Sequence, residues 1–444
     1  MDIIKRQSRN NLNNFHKLGQ LLLLLITIVF FSCKKESNSK PNIILIMADD
    51  LGVETLGCYG SDDYKTPNLD QLANEGMKFE NCYSTPLCTP SRVQLMTGKY
   101  NFRNYIGFGL LDPKERTFGH MLQEAGYETC VVGKWQLLGN EHQRKLAGGK
   151  IGMLPGGAGF DDYLLWQVDD RGSRYKDPLL HKKDAGNELY PGEFGPDKFV
   201  EHIESFMASN TNNPFFVYYP MVITHDPFVP TPDNAEFANF DPKGGTNDPK
   251  YFGEMVGYMD QLIGRIIKKT DELGIRENTL ILFIGDNGTD RDVMSSRKGN
   301  AVKGMKGHTL EAGTHVPFIA NWKGTIMPNQ SNPNLIDFTD FVPSLLEMVG
   351  QKKLNGDGVS FYPQLIGDSS AETRDWVFCH YDPRWGKFKS KRYVQNTRWK
   401  LYESGEFYDV IADPMEEKSL SVDELPEEVQ LIASKFRKVL DDMR

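Results

Sequence analysis

Two acidic pairs and one cysteine give this chain its clearest chemistry. Asp49-Asp50 closes the apolar run Asn42–Ala48, and Asp286-Asn287 follows the run Leu280–Ile284 after a single glycine. Two further apolar runs are followed by Lys134 and by His225. Continuous, β-branched-rich segments of this length read as strands buried on both faces. Ligands of open α/β sheets gather at the carboxyl ends of the strands, so these side chains should converge. A lone Asp in such a place more often caps a helix or turn. Two acidic pairs after two buried runs favour a shared site instead. Three carboxylates brought together repel one another unless a cation neutralises them. Three Asp oxygens with an amide oxygen, and no His pair, select a hard divalent ion, calcium first and magnesium second.

The second constellation is Leu87-Cys88-Thr89-Pro90-Ser91-Arg92, running on to Thr97-Gly98. Pro90 suits the first turn of a helix and Gly98 its end. Cys88 then sits at a helix N-terminus, where free N–H groups and the dipole favour an anion. Arg92, one turn further, can offer that anion a forked and permanently charged donor. For Cys88 itself the residues alone leave two readings open, a buried small hydrophobe or a reactive thiolate.

These groups need a scaffold, and the rest of the sequence describes one. Apolar runs recur at Thr129–Val132, Phe215–Tyr219 and Val316–Ala320. Between them lie helical stretches at 67–76, 117–126, 197–208 and 251–273, the last with a 3.6-residue period. Strands alternating with helices predict an α/β fold whose large, mixed but mainly parallel sheet is sandwiched by helices. From about Gly350 the runs shorten. A hairpin is expected at 399–410, then an amphipathic helix at 428–443 with Leu431, Ile432, Phe436 and Leu440 on one face. The expected division is a catalytic domain at 41–349 and a smaller C-terminal α+β subdomain at 350–444. Among 444 residues there are 6 cysteines without paired spacing, which argues against a zinc site or a disulfide framework. A net charge of −9 argues against nucleic acid as a partner, although a cleft can still be locally positive.

The first 33 residues read as an export signal: Lys5, Arg6, Arg9 and Lys17, an apolar run from Leu21 to Phe31, then Ser32-Cys33. A cysteine directly after the cleavage point resembles a bacterial lipoprotein signal. That resemblance implies acylation of Cys33 and anchoring to a bacterial membrane, periplasmic or at the cell surface, with the polar segment 34–40 as a tether.

Cys88-Thr89-Pro90-Ser91-Arg92 resembles the C-x-P-S-R signature of the type I sulfatases of the alkaline phosphatase superfamily. Asp49-Asp50-Leu51-Gly52, Gly133-Lys134-Trp135, His225-Asp226-Pro227-Phe228, Gly285-Asp286-Asn287-Gly288 and Lys306-Gly307 follow in the family's order. Several spaced motifs in one order are far more specific than any single one. The resemblance implies that a sulfatase-maturing enzyme oxidises Cys88 to formylglycine. The aldehyde hydrate would attack sulfur with one hydroxyl and expel sulfate with the other. Asp49, Asp50, Asp286, Asn287 and the modified residue 88 would hold calcium. Arg92, Lys134 and Lys306 would bind sulfate, and His225, beside Asp226, would protonate the leaving oxygen. One position departs from the pattern. Where the family has His after Lys-Trp, this chain has Gln136, which cannot take a proton near neutral pH. Another base, such as His142 or His308, a slower release, or a weakly active protein are the alternatives.

Residues 166–175 are rich in sugar-binding groups and predict a substrate rim in which Arg171 and Arg174 join Gln136 and Asp226. Arg384, Trp385, Lys387, Lys389 and Arg392 either reach the cleft or form a solvated basic face. The expected substrate is a sulfated carbohydrate. The rivals are a phosphoesterase or phosphonate hydrolase of the same superfamily, and a non-catalytic sulfated-glycan-binding protein.

Overall fold

The computed structural model describes residues 40–245, 247–352 and 356–443. Cys33, the export signal and nearly all of the tether therefore lie outside the described residues. In chain order the strands are β1 (Asn42–Ala48), β2 (Met77–Tyr83), β3 (Glu128–Lys134), β4 (Asp162–Trp166), β5 (Leu179–Lys182), β6 (Gly186–Leu189), β7 (Phe215–Pro220) and β8 (Thr279–Gly285). They continue with β9 (Met294–Arg297), β10 (Asn300–Lys303), β11 (His315–Trp322) and β12 (Gln330–Asp337). Ten of them form one sheet in the order β12-β2-β11-β8-β1-β7-β3-β4-β5-β6, while β9 and β10 pair separately as a hairpin.

Strand β1 lies at the centre, parallel to β7 and β8. Its alternating side chains feed two cores. Ile43, Leu45 and Met47 pack on one face with Val93 and Phe341. Ile44, Ile46 and Ala48 pack on the other with Leu69, Phe199 and Met255. Full burial of each such aliphatic side chain stabilises the fold by about 1.5–3 kcal/mol, which is why these strands read as unbroken apolar runs. The helices Cys88–Thr97 and Phe341–Met348 cover the first face, and Pro67–Asn74, Gly195–Ser209 and Phe252–Glu272 cover the second. All five apolar runs are strands of this sheet. The departures from parallel lie at β11, antiparallel to both β8 and β2, and at the β4-β5-β6 edge.

The C-terminal part holds an antiparallel sheet of β13 (Val377–Tyr381), β14 (Lys391–Gln395), β15 (Trp399–Tyr402) and β16 (Phe407–Asp409). The closing helix Glu427–Asp442 packs Val429, Ala433, Phe436, Val439 and Leu440 against it. This corrects one expected contact. Leu431 is 65% exposed, because the stripe that meets the sheet is offset from it by half a turn.

Candidate active site

The carboxyl ends of β1, β3 and β8 meet, as the sheet order requires. The Asp286 N–H donates to the Ala48 carbonyl at 3.0 Å and the Leu51 N–H to the Asn287 carbonyl at 3.0 Å, locking the two acidic pairs side by side. Asp50 has a φ of 61° and its N–H donates to Asp286 Oδ1 at 2.9 Å. Such left-handed backbone at a non-glycine residue is strained and tends to sit at functional sites. On β3, Gly133 lets the chain pass the Pro220 carbonyl so closely that a Cβ would lie 2.0 Å from its oxygen. The next residue, Lys134, reaches both Asp49 oxygens, at 2.9 and 2.8 Å.

The charges here are buried and only partly balanced. Burial pushes the Asp49 carboxyl up, but Lys134, with His225 and Lys306, holds it well below the usual carboxylate range. Asp286 is shifted the other way, pushed well up by burial and by the charges of Asp49 and Asp50. Asn287 donates its amide N–H to Asp50 Oδ1 at 2.9 Å and to the Gly288 carbonyl at 2.9 Å, which leaves its buried Oδ1 without a partner. Ligand atoms of Asp49, Cys88 and Asp286 lie within 4.8 Å of one another. An uncompensated carboxylate cluster with an orphaned amide oxygen fits a hard, oxygen-preferring divalent cation.

Cys88 is the first residue of the helix Cys88–Thr97, which ends at Gly98 (φ 66°) as its sequence implies. Its thiol is buried, and burial pushes it up, with Lys134 opposing and Asp49 and Asp286 reinforcing the shift. A thiolate is therefore disfavoured here. The Cys88 thiol instead approaches Gln136 Oε1 at 3.8 Å, and Gln136 itself has a φ of 46°. Arg92 lies behind the cavity wall, as the Asp49, Asp50, Asp286 and Asn287 side chains do. Its guanidinium is fully buried and donates Nη2 to the Lys134 carbonyl, while Nε and Nη1 are buried without partners. The bond to the Lys134 carbonyl ties the helix that carries Cys88 to the end of β3.

On the opposite wall, His225 Nδ1 meets the Asp226 carboxylate at 2.8 Å and the Asp226 carbonyl at 2.6 Å. A carbonyl only accepts, so Nδ1 carries the hydrogen. His225 Nε2 stands 3.1 Å from Lys306 Nζ, which also pairs with Asp50. Burial lowers the Lys306 ammonium, but Asp50 and its other anionic neighbours outweigh it and push the group well up. Asp226 moves down despite burial, chiefly through its hydrogen bond to His225.

These groups line a cavity of about 300 Å³ that holds Cys88, Lys134, Gln136, His225 and Lys306. Arg171 and Arg174 form its rim. Arg174 is 6% exposed, stacks its guanidinium 3.9 Å from the Trp166 ring centre, and has a buried Nη1 without a partner. Gln167, from the predicted rim stretch, lines the cavity too, whereas sequence reasoning missed Asn140, Gln143, Asp290 and Arg291. Asp290-Arg291 lies only three residues past Asn287, a proximity that could have flagged it. The expected substitute bases are misplaced. Neither His142, which packs on the Trp385 edge at 5.7 Å, nor His308, which packs on Phe388, lines the cavity, so His225 is its only imidazole among the described residues. Arg384 and Arg392 are also absent from it. They pair with Asp382 and Glu403, and only Trp385 of that group forms cavity wall, stacked on Phe108 at 4.6 Å.

Comparison with known proteins shows the family. A profile described as Sulfatase matches residues 41–351, and one described as N-sulphoglucosamine sulphohydrolase, C-terminal, matches 305–444. Human arylsulfatase A is 30% identical over 402 residues, covering 80% of this chain and 76% of its own. The N-acetylgalactosamine-6-O-sulfatase of Bacteroides thetaiotaomicron is 28% identical over 474 residues, covering 87% and 90%. The solved structure of BT4656 in complex with its substrate D-glucosamine-2-N,6-O-disulfate matches with a TM-score of 0.73 at 20% identity, over 91% of this chain and 97% of that one, and shows the shared alkaline phosphatase-like fold. With its profile, its curated relatives and its fold in agreement, the chain belongs to the sulfatase family, the sulfuric ester hydrolases.

Proposed function

We propose that this protein hydrolyses sulfate esters of a sulfated glycan, with calcium at the Asp49, Asp50, Asp286 and Asn287 cluster and a formylglycine made from Cys88 by a sulfatase-maturing enzyme. The observation that carries the reading is the buried carboxylate cluster with the orphaned Asn287 oxygen, set against Cys88 and flanked by two ammonium groups. When bound, the cation supplies positive charge to the sulfate oxygens, and the aldehyde hydrate of residue 88 supplies the nucleophile. The protein's own groups do the rest. Lys134 and Lys306 are held charged by Asp49 and Asp50 and neutralise the anion. His225, oriented by Asp226 through Nδ1, faces the leaving oxygen through Nε2 and is the group that would protonate it.

The glycan reading rests on the relative that is an N-acetylgalactosamine-6-O-sulfatase and on the aromatic and arginine rim of the cleft. Export and lipid anchoring at Cys33 are part of the same proposal and rest on the N-terminal pattern. The test is turnover of a chromogenic sulfate ester and a panel of sulfated oligosaccharides, using protein co-expressed with a maturase. Calcium-dependent sulfate release that is lost in Cys88→Ala supports the reading. Binding of sulfated sugars without turnover by the matured protein favours a non-catalytic glycan-binding role, for which Gln136 is the motive.

A further inference from the structure

A second chamber of about 410 Å³ adjoins the active-site cleft, and the Phe388 ring is the wall between them, lining both. The ring is seated on Gly307, directly after Lys306. A Cβ at Gly307 would lie 2.2 Å from the Phe388 ring, and the backbone φ there is +84°. The Tyr381 hydroxyl donates to the Gly307 carbonyl at 2.9 Å, which fixes the partition from below.

Its walls are cationic and aromatic. Lys387, Lys389 and Lys391 stand around it with Tyr381, Tyr402 and Tyr408. Neither Lys387 nor Lys389 is ion-paired among the described residues, and Lys391 lies 4.8 Å over the Tyr402 ring. The two acids present do not balance them. Glu416 is tied to the buried Lys400 at 2.8 Å and accepts from the Tyr402 hydroxyl at 2.5 Å, and Glu406 accepts from Ser404. Two unpaired ammonium groups and a third over an aromatic face, one ring away from the proposed sulfate site, suit an anionic pyranose.

We propose that this chamber is a subsite for a second anionic sugar of the same substrate, so that the enzyme acts on an oligosaccharide whose neighbouring residue carries a carboxylate or a sulfate. The inference deepens the glycan reading and rests on it. Lys387 and Lys389 confer selectivity there and stay clear of the reacting atoms.

The test compares the matured wild type with Lys387→Gln/Lys389→Gln and with Lys387→Glu/Lys389→Glu. The substrates are 4-nitrophenyl sulfate and sulfated disaccharides in matched sets: uronate neighbour, uronate methyl ester, sulfated neutral neighbour and plain neutral neighbour. Calorimetry on Cys88→Ser protein measures binding of the same disaccharides without turnover. The expected result is a preference of the wild type for dianionic over monoanionic disaccharides, in KM and in affinity, that falls at least about tenfold in the Gln variant and reverses in the Glu variant. Methyl esterification separates a carboxylate from a sulfate as the second charge. Equal losses on monoanionic and dianionic ligands, or no loss, would overturn the subsite while leaving the glycan reading intact. Turnover of 4-nitrophenyl sulfate with no disaccharide bound or cleaved would overturn both.

Discussion

Lys134→Met is the most informative perturbation of the site's electrostatics. Lys134 and Asp49 are only 2% and 1% exposed at their side chains and meet at 2.8 Å, so each is the other's main compensation. Removing one partner of a buried pair leaves an uncompensated charge and typically costs about 3–5 kcal/mol. That loss is expected in urea unfolding of the metal-free protein near neutral pH. Calcium should restore more stability to the variant than to the wild type, because Lys134 no longer competes for the Asp49 oxygens. Ligand at a hundred times its dissociation constant contributes about 2.7 kcal/mol, enough to recover a large share of the loss. The sign with pH follows from the lowered Asp49 carboxyl. Its contribution is present above the unfolded value of about 3.9 and disappears as pH falls, so wild type and variant should converge in acid. Asp49→Asn/Lys134→Met should lose less than the sum of the single changes. A loss below about 1 kcal/mol, or equal stabilisation of both proteins by calcium, would refute the reasoning, since a buried pair cannot break that cheaply.

Three other outcomes follow from named contacts. Gln136→His places an imidazole next to residue 88 at a left-handed φ that His tolerates better than Gln. A kcat gain of at least about tenfold is expected, with a new limb in its pH profile near 6.5, whereas an unchanged profile would show that release does not need a base there. Chelation followed by dialysis should abolish sulfate ester turnover and lower the thermal midpoint, with calcium restoring both better than magnesium; full activity in the chelated protein would exclude the metal. At the end of β12, burial, opposed by Arg374 and aided by Asp340, pushes the Asp337 carboxyl up to about 6. The folded state then keeps a proton that the unfolded state releases, so wild-type stability should fall on the order of 3 kcal/mol as pH rises from about 4 to 6. Asp337→Asn, which keeps the acceptor for Gln94, should flatten that slope, and an unaltered slope would assign it to other groups.

The central fold was legible because burial on both faces writes itself as uninterrupted apolar sequence, as in Asn42–Ala48 and Leu280–Ile284. The edges were not. Gln330–Asp337 is polar and contains Pro333, and it becomes a strand only because β2 offers it a partner. The antiparallel direction of β11 was equally hidden, since an apolar run carries no sense of direction. In the site, the groups at strand ends could be read from position alone, whereas Asn140 and Gln143 belong to the start of a short helix, Glu141–Leu146, whose placement only the fold decides.

The central claim concerns what residue 88 becomes, and the mass of the peptide that contains it decides the matter. In protein co-expressed with a sulfatase-maturing enzyme, formylglycine at position 88 lowers that mass by about 18 Da relative to cysteine, through exchange of SH₂ for O. The account predicts this loss, together with sulfate ester turnover in proportion to the converted fraction. An unmodified thiol in protein that nevertheless releases sulfate would contradict it.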